Sequence, residues 1–312
     1  QFFNYSSEFG FGSDMIGFKS NWYGRLTGPF GDELIPGSYI SKFGLIGYAY
    51  LILNKKFSTN VIVQSIYLSL IFIVSYITGE RMAFATYAMG IFFLLIFLKG
   101  YRKSIFFSIL LGLFTLFIII QLHPFYNDFK IIESTEFHQG LKIEKSFKCN
   151  ANTEEVCSKV IEVQPSFVEI IKNFNTSAYG EIYLLAYKMF INNPITGIGI
   201  NNFKYMCETN DFYKNLMVNY DCASHPHNIY IQWLSEGGLF VFFTFILYLL
   251  FLITFIVKND GEKKFKIISL IVILIMFWPI MSTGSLIKNW YGVTTFFIIG
   301  LCMSLSKFKN SY

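Results

Sequence analysis

Ser224-His225-Pro226-His227-Asn228-Ile229-Tyr230-Ile231-Gln232-Trp233-Leu234-Ser235-Glu236-Gly237-Gly238 joins a long polar segment to the apolar run Leu239 to Val257. Ser224 is a helix-capping residue type, and Pro226 is tolerated in a first turn whose N–H groups have no intrahelical partner. The pattern predicts a helix that starts here, runs a few turns outside a membrane and then enters it. His227 falls in its first turn, beside the positive end of the helix dipole. An imidazole there is biased towards its neutral, proton-accepting form, and the free N–H groups favour an anion. His225, on the other side of Pro226, is expected to point elsewhere and to tolerate alanine. A base and an anion seat at a membrane surface imply chemistry on a lipid-linked phosphate.

The rest of the chain supplies the membrane. Of 312 residues, 54% are hydrophobic and 20% aromatic, but only 14% are charged. Soluble domains carry about 25% charged residues. Mean hydropathy is +0.47. Apolar runs near the length of a bilayer span predict an all-α polytopic membrane protein. Seven candidate spans lie at 38–54, 60–78, 82–98, 104–122, 229–257, 266–283 and 289–306. The first contains Lys42, which must snorkel to its near end. The fifth, at roughly 1.5 Å per residue, exceeds a ~30 Å hydrocarbon core. Its surplus belongs at the start, where His227 lies. The chain opens on Gln1 rather than on a methionine, so earlier membrane helices are expected to be missing.

Loop charges orient these spans. Lys55 and Lys56, Lys99, Arg102 and Lys103, Lys258, Lys263, Lys264 and Lys266, and Lys307 and Lys309 follow the odd-numbered spans. The short alternate loops hold only Arg81 and Lys288. The positive-inside rule places the first set in the cytoplasm. The predicted organisation is a periplasmic segment (1–37), four spans (38–122), a periplasmic loop domain (123–228), three spans (229–306) and a cytoplasmic tail (307–312). The net charge of +5 sits largely in these short loops and marks topology, not nucleic-acid binding. The long loop holds four of the five cysteines. An even number on an oxidising side suggests Cys149–Cys157 and Cys207–Cys222 disulfides, with free buried thiols as the alternative. Gly197-Ile198-Gly199 is a tight turn, since no third glycine or βαβ pattern makes it a dinucleotide fingerprint.

Three features fall on the outer side. Arg25 lies in Gly24-Arg25-Leu26-Thr27-Gly28-Pro29-Phe30-Gly31-Asp32-Glu33, just before the first span. Arg81 lies in Thr78-Gly79-Glu80-Arg81-Met82-Ala83-Phe84, where the third begins, and His227 is the third feature. Guanidinium binds phosphate bidentately and stays charged at any working pH. Either arginine could instead be an interfacial anchor, Arg81 with Glu80 beside it, and a lone histidine at a helix start is often a packing residue. Asn228, Gln232 and Glu236 share a polar stripe that lines a cleft or faces a neighbouring helix. Asp32 and Glu33 are supporting acids or a solvated turn. His225 and His227 with Cys222 or Asp221 could suggest a metal site. Positions i and i+2 do not share a helix face, so none is expected.

His-Pro-His-Asn, a following glutamine and Glu-Gly-Gly, entering a span after a long external loop, resemble the O-antigen ligase/polymerase superfamily. The Arg25 segment, Gly37-Ser38-Tyr39, Gly79-Glu80-Arg81 and Asn193-Pro194-Ile195-Thr196-Gly197-Ile198-Gly199 match its patterns too. The resemblance covers roughly residues 20–305. It implies a GT-C-type architecture in the bacterial inner membrane with the active site facing the periplasm. It also implies inverting, metal-independent transfer of a glycan from undecaprenyl diphosphate, without any cofactor, to lipid A–core or a growing glycan. Arg25 and Arg81 map to diphosphate-binding arginines, and His227 to the catalytic histidine. One departure is Gly180-Glu181, where relatives often carry an arginine. A ligase is the first expectation; a polymerase and transfer to a protein hydroxyl are the alternatives. A transporter or flippase is the reading from a different class, disfavoured because the membrane-centre stretches are almost free of charge.

Overall fold

The computed structural model describes residues 1–6, 10–11, 25–30, 35–126, 141–148, 156–163, 172, 174–280 and 282–309. The chain divides into two compact units, Gln1–Glu169 and Ile170–Tyr312.

The first unit contains the apolar helices α1 (Pro36–Leu53), α2 (Val61–Ile77), α3 (Arg81–Phe97) and α4 (Arg102–Leu122). Their starts follow local chemistry. Pro36 occupies the first turn of α1, where its missing N–H costs nothing. The Asn60 side chain caps α2 by accepting from Val63 N at 3.0 Å. Lys42, buried inside α1, turns back one turn and donates to Ser38 Oγ at 3.0 Å, the snorkelling its position requires. α4 leaves Phe106, Leu110, Leu113, Phe114 and Phe117 exposed, an apolar face suited to lipid and not to water. Among the described residues, two strand pairs depart from the all-α expectation in this unit: Tyr5–Ser6 pairs antiparallel with Gly10–Phe11, and the long loop adds a longer pair. Leu141–Lys148 pairs antiparallel with Val156–Val163, Leu141 opposite Val163 and Lys148 opposite Val156. The alternation Leu-Lys-Ile-Glu carries the period-two signal of a strand.

The second unit contains α5 (Ala178–Asn192), α6 (Phe203–Thr209), α7 (Ile229–Lys258), α8 (Lys263–Met276) and α9 (Asn289–Leu305). α5 starts where Ser177 Oγ accepts from Gly180 N at 3.1 Å. Its buried face, Ile182, Leu185, Ala186 and Met189, packs with Phe203, Cys207 and Tyr213. The Cys207–Cys222 disulfide closes that core, with a Cα separation of 5.9 Å. The other expected pair, Cys149–Cys157, lies outside the described residues through Cys149.

α7 accounts for the surplus length of the fifth span. It breaks at Gly238, which adopts φ 63° and ψ −165°, a region open essentially to glycine alone. The break frees backbone groups, and the loop after α5 takes them up. Ile198 N donates to Ser235 O at 3.0 Å and Gly199 N to Glu236 O at 2.9 Å, while Leu239 N donates to Pro194 O at 2.8 Å. Asn193-Pro194 and Gly197-Ile198-Gly199 therefore thread into the kink. The straight remainder, Leu239–Lys258, is about 20 residues at roughly 1.5 Å each, close to a ~30 Å core.

By length and apolarity, Lys99–Leu122 and Ile229–Lys258 can cross a membrane; Val61–Ile77, Arg81–Phe97 and Trp290–Leu305 are shorter apolar helices. The sixth candidate span, 266–283, ends early, because α8 stops at Met276. Trp278-Pro279 explains the stop. Proline has no N–H to donate and disfavours helix in the residue before it. Residues 277–280 and 282–288 are irregular, and Pro279, Thr283 and Ser285 bond to the start of α7 and the segment before it, with consequences for His227.

Candidate functional site

In the first unit the Arg25 and Arg81 segments meet. Leu26 N donates to Thr78 O at 3.0 Å, which ties the residue after Arg25 to the turn that opens α3. Gly79 makes that turn at φ 74°, and Arg81 is the first residue of α3, as expected. Glu80 reaches across to the start of α1. Its Oε1 accepts from Gly37 N at 2.6 Å and its Oε2 from Ser38 N at 3.1 Å. The carboxylate therefore occupies the anion seat that the α1 terminus offers. Burial pushes the Glu80 carboxyl up to about 7, against the opposing pull of the Gly37 N–H, Arg25, the Ser38 N–H and Lys42. Arg25 and Lys42 thus act on a single carboxylate. Asp32 and Glu33 lie outside the described residues.

In the second unit the His227 segment departs from the sequence expectation in one respect that matters. The helix starts later. Asn228, not Ser224, is the cap: its Oδ1 accepts from Tyr230 N at 3.0 Å and Ile231 N at 3.2 Å, and its Nδ2 donates to Pro279 O at 2.7 Å. Asparagine caps at least as well as serine, and Pro226 biases His225 away from helix. His227 therefore precedes the cap, with φ 55°. Such a conformation costs a non-glycine residue on the order of 1–2 kcal/mol. It is held from outside, because Thr283 N donates to His227 O at 2.7 Å. Left-handed strain of this kind clusters where function demands a fixed side chain.

His225 does not point away. Its ring lies 4.3 Å from that of His227, centroid to centroid, and it is buried at 7% exposure. Its Nε2 faces Thr283 O at 3.2 Å, and its Nδ1 faces Ser224 Oγ at 2.9 Å. Lys288 Nζ donates to the same Ser224 Oγ at 2.9 Å. Tyr179 of α5 meets His227 edge-on at 6.1 Å. Burial, reinforced by Lys288, lowers the His227 imidazole below its ordinary value. Burial, the neighbouring His227 and Lys288 bring His225 down to about 4, against the pull of the Thr283 carbonyl. His227 is thus biased to the neutral form, by burial first and by a lysine second.

The polar stripe of α7 faces protein. Gln232 Nε2 donates to Glu236 Oε2 at 2.9 Å and to Ser285 Oγ at 2.8 Å. Glu236, 1% exposed, accepts from Phe203 N at 3.3 Å and so caps α6. With Asn228, these residues fasten Pro279, Ser285 and the α6 terminus to α7. Glu181, at the position of the family departure, is buried and accepts from Asn219 N and, at 2.6 Å, from Asn219 Nδ2. Cys222 is committed to its disulfide, and among the described residues no three His, Cys, Asp or Glu gather as a ligand set. Sequence reasoning missed Tyr179, Thr283, Ser285 and Lys288. The available signals were the polar dip Ser282-Thr283-Gly284-Ser285 inside a supposed span, and Lys288 as the sole cation of its short loop.

A family model described as O-antigen ligase matches residues 66–246, from α2 through the break in α7. No curated protein matches the chain.

Proposed function

Because the chain belongs to the O-antigen ligase family, an integral membrane family acting on lipid-linked glycans, we propose that it is an inverting glycosyltransferase of the ligase type. Its donor is a glycan on undecaprenyl diphosphate, and its acceptor is a hydroxyl of lipid A–core on the periplasmic face of the inner membrane. The loop charges of the sequence favour one common side for Arg25, Arg81 and His227.

In this reading neutral His227 accepts the proton of the acceptor hydroxyl as its oxygen attacks the anomeric carbon. The bond from that carbon to the diphosphate oxygen breaks, and undecaprenyl diphosphate leaves with the electron pair. Arg25 and Arg81 neutralise the charge that develops on it. The bond energy of the donor drives transfer, so neither a nucleotide nor a metal takes part. The observation that carries the proposal is the His227 imidazole. It is depressed in basicity and fixed by Thr283 and His225 on a strained backbone directly before a membrane-entering helix.

The test is the product that accumulates when the gene is deleted. Finished polymer left unattached on its lipid carrier supports a ligase. Accumulated single repeat units would replace that reading with a polymerase.

A further inference from the structure

We propose that Lys288 is a positioning residue for His227, acting through Ser224 and His225. The inference rests on the reading of His227 as the base. Its ground is a hydrogen-bond chain whose direction is forced. A lysine ammonium only donates, so Ser224 Oγ accepts from Lys288. At the other end Thr283 O only accepts, so His225 Nε2 carries a hydrogen and donates to it. Neutral His225 then has a bare Nδ1, which accepts the one hydroxyl hydrogen of Ser224. Lys288, Ser224, His225 and the Thr283 carbonyl thus form one donor-to-acceptor series. It leaves His225 a single tautomer and a fixed ring plane.

That plane is a wall of the His227 site, since the two rings lie 4.3 Å apart. Thr283 closes the loop by holding the His227 carbonyl through its own N–H. The lysine consequently fixes the strained His227 backbone and ring from two directions. Its charge also opposes a proton on His227.

The other titratable neighbours do not compete for this role. Tyr179 of α5 presents only a ring edge. Tyr183 of the same helix, beside Asn228, has a phenol that burial pushes up to about 12 and stays neutral. His225 is held neutral by burial, by the neighbouring His227 and by Lys288.

The experiment measures transfer against pH with the purified full-length protein. The donor is lipid-diphosphate-linked glycan extracted from host membranes, and the acceptor is its native partner. The variants are Lys288→Met, Lys288→Arg, Ser224→Ala and Ser224→Thr. In Lys288→Met the acid limb of kcat should move to higher pH, because a nearby positive charge no longer disfavours imidazolium. Lys288→Arg should keep the wild-type limb. Ser224→Ala should lower kcat roughly tenfold, part of what a placed base supplies, with KM unchanged, and Ser224→Thr should restore it. Charge and hydroxyl are retained in the Arg and Thr variants, which also control for folding.

An unmoved acid limb in Lys288→Met, or full kcat in Ser224→Ala, overturns the inference. A rise in KM alone in Lys288→Met also overturns it, by making the lysine a substrate contact. His227→Ala separates the two readings. If that variant transfers normally, the base assignment fails. If it is inactive while the Lys288 and Ser224 variants behave as wild type, only the positioning role fails.

Discussion

Gly238→Ala should be among the most damaging single-methyl changes available in the second unit. The conformation at Gly238, φ 63° with ψ −165°, costs an L-residue on the order of 1–3 kcal/mol. A Cβ there would also land on the backbone of Ile195 and on Gly197 N, neither of which can rotate away. The 194–199 loop must therefore withdraw, taking with it the bonds Ile198 N to Ser235 O, Gly199 N to Glu236 O and Leu239 N to Pro194 O. Each contributes about 1 kcal/mol net, and more if its groups are left buried and unsatisfied. The total is about 4–6 kcal/mol, in the range reserved for a few severe mechanisms. For a unit of this size the apparent melting temperature should fall by on the order of 10 °C. Thermal unfolding of the detergent-solubilised protein measures it, with Gly300→Ala as the control, since a Cβ on Gly300 meets nothing within 4 Å. A Gly238→Ala protein that melts with wild type and with Gly300→Ala would refute the loop-in-kink reasoning.

Other outcomes follow from the remaining parts of the molecule. Arg25→Ala and Arg81→Ala should each cost a large part of turnover at normal protein level, and lysine should rescue only partly because it lacks the bidentate fork; full activity in Arg81→Ala would return that residue to an interfacial anchor. Cys222→Ser should destabilise the second unit by about 3 kcal/mol, the loop-entropy value for a separation of 15 residues, read by thermal unfolding; an unchanged melt would mean that the bridge only decorates a core already closed. Single cysteines placed at Lys55, Arg102 and Lys263 should resist an impermeant thiol reagent in intact cells, whereas positions in the 178–222 stretch should react; the reverse pattern would invert the topology.

The apolar helices were legible because lipid imposes a requirement on every residue of a span, and their bounds fall within a few residues of the expected ones for α1 to α4. The surplus at the start of α7 was legible as arithmetic. Its cause was not, because a glycine break is stable only when a distant loop supplies partners for the freed carbonyls and N–H groups. Arg25 and Arg81 were recognisable as residue types, and the structure brings their segments together through Leu26 and Thr78. His227 was recognisable, but its burial, the later helix start and its charged neighbour were not. The nearest good cap, Asn228, displaces the helix start, and the charge opposing imidazolium comes from Lys288, sixty-odd residues later. Tertiary neighbours of that kind leave no local pattern. Glu80 illustrates the same limit: adjacent to Arg81 in sequence, it spends its carboxylate on the N-terminus of α1.

His227→Ala in the purified enzyme tests the central claim most directly. Turnover of lipid-diphosphate-linked glycan onto its acceptor is measured with chelator present throughout, alongside donor binding. General-base assistance is worth about 10²–10⁴-fold, so turnover should fall by that factor while donor binding stays near the wild-type level. Near-normal turnover in His227→Ala, with the protein folded and the donor bound, would contradict the assignment.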